Sequence, residues 1–85
     1  MQRHRVAVSI GDQVYLQEAG EEVGSVRNVD ADRLIIYIEN ATDFVVPAAH
    51  IAAVHAGKVI LDASKIEPAL RQAIEHAHDR EEADG

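Results

Sequence analysis

Up to Leu61 the apolar residues fall in short runs separated by polar turns, and after Asp62 they recur at helical spacing. The strongest run is Leu34-Ile35-Ile36-Tyr37-Ile38, five apolar residues between Arg33 and Glu39. A strand sends alternate side chains to opposite faces, so Leu34, Ile36 and Ile38 line one side and Ile35 with Tyr37 the other. A strand apolar on both faces belongs in the middle of a small domain, between a core and a second layer.

The flanking segments read as further strands. Val6, Val8 and Ile10 alternate over residues 4–10, and Gly11-Asp12 turns the chain into Gln13-Val14-Tyr15-Leu16. Gly20, in a polar connection, is placed to take a positive φ. Val23, Val26 and Val29 are spaced by three instead of two, and with Gly24 among them they predict a bent or bulged strand. Asp43-Phe44-Val45-Val46 is a strand closed by Pro47, which has no amide to donate. A short helical turn then leads to a strand about Val54, and Ala56-Gly57-Lys58 makes a tight hairpin into Val59-Ile60-Leu61. Six or seven short strands at this density predict a mainly β chain folded as a small antiparallel β-barrel over residues 1–62. The expected core is Val14, Val23, Val26, Leu34, Ile36, Ile38, Val46, Val59 and Leu61, with Val8, Leu16, Phe44 and Val54.

Ile66, Leu70, Ile74 and the alanines at 69, 73 and 77 form one helical stripe, predicting an amphipathic helix over 63–79 of the same domain. Ser64 and Glu67 have capping-box spacing, and Pro68 fits a first turn. Residues 80–85 read as a fraying acidic tail.

Composition narrows the function classes. Eighty-five residues make one domain near the lower size limit for an unstapled core, and with no cysteine there is no disulfide framework or thiolate chemistry. No apolar run is long enough for a signal-peptide core or a membrane span, so a soluble cytoplasmic protein is expected. The net charge is −7, from 8 basic and 15 acidic residues, which disfavours nucleic acid as a partner.

Two stretches carry a family resemblance. Gly11-Asp12-Gln13-Val14-Tyr15 followed by Gly20-Glu21-Glu22-Val23-Gly24-Ser25-Val26 resembles the opening of PRC-barrel domains. Phe44-Val45-Val46-Pro47, Ile51, Val54 and Gly57-Lys58-Val59-Ile60-Leu61-Asp62 resemble that family's second half. The resemblance implies a small β-barrel that docks onto other proteins and has no shared catalytic centre. It carries over no catalytic residue, cofactor or metal ligand. The long C-terminal helix departs from the pattern.

The residues themselves offer little chemistry. His76 and His78 stand ~200° apart round a helix and cannot readily share an ion. His50 and His55 flank a short apolar stretch without metal-site spacing. Ser9, Ser25 and Ser64 lie in no nucleophile elbow, and no phosphate loop is present. A non-enzymatic reading follows. Two alternatives remain open: a histidine-based metal or small-ligand binding protein, and a ribosome- or RNA-associated factor using Arg3, Arg5, Arg27 and Arg33.

A protein-interaction or self-assembly surface is the better motivated expectation, built from Ile35, Tyr37, Ile66, Leu70 and Ile74. Burying those five at ~1.5–3 kcal/mol each gives roughly 7–15 kcal/mol. Association costs about 4–15 kcal/mol, so these side chains alone do not force a dimer. Docking of the helix on its own barrel, over Ile35 and Tyr37, is the cheaper arrangement. Exposed strand edges still favour a homo-oligomer, a dimer first, with the identity of any other protein partner left open.

Overall fold

A computed structural model describes the backbone over residues 8–84 and side-chain surroundings through Ala77. The strands are β1 (Gln13–Tyr15), β2 (Glu22–Val29), β3 (Arg33–Ile38), β4 (Asp43–Pro47), β5 (Ile51–His55) and β6 (Lys58–Leu61). A 3-10 turn, Ala48–His50, joins β4 to β5, and helix α1 (Pro68–Asp84) ends the described chain. The six strands form one sheet in the order β4-β3-β2-β1-β6-β5, curled as a half-barrel.

The connection between β4 and β5 requires that curl. In a flat sheet, strands ~4.8 Å apart would hold these two edges ~24 Å from each other. The step from Pro47 to Ile51 can span at most ~14 Å. The sheet therefore bends until its edges approach at the end where the 3-10 turn sits. Ala48 N–H donating to Asp32 O at 2.8 Å and Asp62 N–H donating to His50 O at 2.8 Å tie that turn to both halves.

Neighbouring strands are antiparallel with one exception. β1 runs parallel to β6, pairing Val14 with Val59, so the sheet is mixed and not the all-antiparallel barrel expected from the turn density. β1 and β6 are far apart in sequence, and local patterning carries no information on their relative direction.

The valines of β2 are spaced by three because the strand is interrupted twice. Its register slips against β1 between Val14 and Tyr15, which lets Val23 turn inward. Against β3 it slips at Arg27, so that Val26 faces Ile36 and Val29 faces Leu34. Each bulge inserts one residue; Val23 and Val26 are buried, while Val29 at the end of the strand is 38% exposed.

Val14, Val23, Val26, Leu34, Ile36, Ile38, Val46, Val59 and Leu61 are buried in one cluster, and Val8, Leu16, Phe44 and Val54 pack against it half-buried. Ile66, Leu70, Ile74 and Ala77 belong to the same cluster. The helix thus lies on the Leu34-Ile36-Ile38 side of β3, contrary to the expectation that it covers Ile35 and Tyr37. An amphipathic stripe signals that the helix must dock, but not on which apolar face.

Four local expectations also change. Of the first predicted strand, residues 4–7 lie outside the described part, and residues 8–12 make a turn held by Asp12 N–H to Ser9 O at 3.0 Å. Among the described glycines, Gly11 and Gly57 have a positive φ and Gly20 does not. Ser64 does not cap the helix: its N–H and hydroxyl donate to Asp62 Oδ1 at 3.0 and 2.7 Å, and an Asx-type turn replaces the capping box. Glu67 O accepts the first helical bond, from Arg71 N–H, with Pro68 as the first helical residue. At the other end the helical backbone continues to Asp84, through most of the expected acidic tail.

Candidate interaction surface

The five side chains expected to form one contact surface divide between two faces of the sheet. Ile66, Leu70 and Ile74 are 8, 5 and 4% exposed inside the core cluster. Ile35 and Tyr37 are half-buried on the outer face of β3. The three helix residues are spent on holding the fold, and only Ile35 and Tyr37 remain as surface.

What stands beside those two is set by strand register. β4 pairs with β3 over five positions without irregularity, placing Val45 opposite Ile35 and Asp43 opposite Tyr37. Val45 is 57% exposed on the strand at the edge of the sheet. Ile35 and Val45 are therefore an apolar outer-face pair running to that edge. Val45 was absent from the sequence-derived surface. The alternation of Phe44, Val45 and Val46 could have found it, since two inward neighbours turn the residue between them outward.

Charges frame the pair on both sides. Arg27, freed by the bulge, stacks its guanidinium over the Tyr37 ring at 4.8 Å and reaches Asp43 Oδ1 at 3.3 Å. Its side chain crosses one whole strand, from β2 over β3 to β4. On the other side, Arg33 meets Asp30 at 3.3 Å. Arg27 and Arg33 thus each have an acidic partner, and Arg3 and Arg5 lie outside the described residues. The four arginines do not make a described basic patch.

The histidines are separated too. His55 Nε2 contacts a carboxylate oxygen of Glu18 at one end of β5, and His50 stands at the other end beside the Asp62 turn. His76 is exposed on α1. Among the described residues, no three His, Asp or Glu side chains are grouped so as to hold a metal ion. Among the same residues, no helix is long and apolar enough to cross a membrane.

Among the described residues, Asp62 is the titratable group most altered by its surroundings. The Ser64 hydroxyl and then the Ser64 N–H hold its carboxyl below the usual carboxylate range, against a smaller opposing effect of burial, with Lys65 and His50 adding positive charge nearby. It joins β6 to the helix linker, where its hydrogen bonds with Ser64 hold the turn.

Comparison with family models, with curated proteins and with solved structures gives no match for this chain.

Proposed function

We propose that this chain is a non-enzymatic self-association module of PRC-barrel type, in which the half-barrel is a scaffold and the outer face of β3 and β4 is the working surface. One observation carries the reading: Val45, 57% exposed, stands opposite Ile35 at the edge of the sheet, while the helix that could have covered them is committed to the inner face. An exposed apolar pair beside an unpaired strand edge is a place where another chain gains by binding. The order of the Gly11-Asp12-Gln13-Val14-Tyr15 and Phe44-Val45-Val46-Pro47 motifs along a strongly curled sheet supports the family assignment. Light scattering over a concentration series tests the reading. Growth of the apparent mass with concentration is expected, and a monomer at every concentration removes self-association.

A further inference from the structure

Resting on that self-association reading, we infer that the partner is a second copy of this chain, added edge to edge along β4 with Val45 opposite its own symmetry mate. The backbone comes first. Ile38 N–H donates to Thr42 O at 3.1 Å, so in this antiparallel pair residues 42, 44 and 46 turn their polar groups toward β3. Asp43, Val45 and Pro47 turn theirs to the free edge. Among the described residues, no strand pairs with that edge. Pro47 lacks the one donor that the edge would otherwise leave open at its end, but its carbonyl still accepts.

A two-fold axis beside Val45 pairs all of these groups except the Asp43 carbonyl of each copy, which faces Pro47. Each Val45 N–H donates to the other copy's Val45 carbonyl, and each Asp43 N–H donates to the other copy's Pro47 carbonyl. The missing proline donor is the only one absent. Side chains agree with the same register: Ile35, Val45 and their symmetry mates form one continuous apolar row across the joint. Asp43 lies in the next row, with Arg27 on its own side and Arg33 of the second copy beyond Pro47. The observed reach of Arg27 across a whole strand to Asp43 shows that an arginine can span such a distance. Sliding the register by one step to centre on Phe44 would bring the two Asp43 carboxylates diagonally together, so charge selects the Val45 register.

The opposite edge, β5, is unsuited to this pairing. Its ladder slips between Ile51 and Ala53, and a bulge of this kind protects an edge from addition. β4 is regular throughout, although short. Its five residues predict a small interface, at the low end for specific complexes, and hence a dimer that dissociates on dilution.

The absence of cysteine makes the test direct. In the inferred register the two Val45 Cα atoms stand ~5.5 Å apart, within the roughly 4.4–6.8 Å that a disulfide bridges. The Val45→Cys variant, mildly oxidised and run on a non-reducing gel, is expected as a cross-linked dimer, with Ala52→Cys on β5 remaining at background. Val45→Lys, a change at an exposed position, is expected to weaken the dimer by about tenfold or more in light scattering without moving the thermal unfolding of dilute protein. If the unmodified chain never dimerises, self-association and this inference fall together. If it dimerises but Val45→Lys has no effect, or Ala52→Cys cross-links in place of Val45→Cys, only the β4 interface is overturned.

Discussion

The backbone carbonyl of Tyr37 occupies the space where a side chain on Gly24 would begin. A Cβ there would overlap the Tyr37 oxygen outright and stand 3.0 Å from its carbonyl carbon and 3.2 Å from the Ile38 Cα. All three obstacles are main chain of the central strand, so no rotamer change relieves the overlap. The need for glycine here is close approach of two strands. Gly24→Ala is expected to push β2 away from β3 at the middle of the sheet, costing ~3 kcal/mol or more. A domain of this size has roughly 4–13 kcal/mol of stability in all. Denaturant unfolding should show the loss, and a variant as stable as the parent would mean that β2 and β3 are not this close.

The β5–β6 hairpin contains an opposite opportunity. Ala56 and Gly57 have φ of 53° and 77°, so both central residues of the turn are left-handed. Such turns favour Asn-Gly, and alanine is strained at the first position. Ala56→Asn and Ala56→Gly are each expected to stabilise the protein, the first by ~1 kcal/mol, seen as a melting point higher by about 4–8 °C. Gly57→Ala should lower it. Equal melting points for all three variants would show that the turn does not control the hairpin.

Local periodicity located most of the strands and the helix, but misread residues 8–10 as strand and said nothing of which elements pair. Alternation in Leu34, Ile36 and Ile38 assigns three side chains that are 4, 0 and 0% exposed, and the three-residue valine spacing already announced the bulges of β2. Nothing in the β1 and β6 runs reveals that they lie parallel, because that depends on the path of the intervening chain. The helix stripe and the two faces of β3 are each visible, but apolar surface has no address: either face of the strand would have accepted the helix. The Asp62 turn was concealed by Ser64 and Glu67, whose spacing fits a capping box as well as it fits a linker. Val45 was missed in the candidate surface because an outward valine is common on any strand. It acquires meaning only when Ile35 stands opposite and the strand is found at an edge.

The position of the helix leads to its own prediction. Leu70 and Ile74 are 5 and 4% exposed within the same cluster as Ile36 and Ile38. Truncating either to alanine is expected to cost about 2–5 kcal/mol, since each would leave a cavity in that cluster. Because the helix docks on its own chain, the loss should be the same in dilute and concentrated protein. A stability loss that shrinks as concentration rises would point to helix exchange between chains. Ile35→Ala, on the outer face, should cost clearly less in the dilute protein.

Acid should reach the fold through Asp62. Its ionised carboxylate accepts two hydrogen bonds from Ser64 and has Lys65 Nζ at 3.9 Å, and together these lower its pKa in the folded chain. A carboxyl with a lower pKa when folded binds fewer protons folded than unfolded at intermediate pH, so folding is favoured by its ionisation. That contribution is fully present above the ordinary carboxylate pKa and is lost as pH falls through the lowered folded value. Asp62→Asn removes the titration while leaving an oxygen to accept from Ser64. The parent should therefore be more stable than the variant near neutral pH, and the gap should close as pH falls below the usual carboxylate range. Melting points of the two proteins across pH 3–7 decide the matter: a gap that stays constant through the acid limb would show that the Ser64 contacts do not depend on the charge.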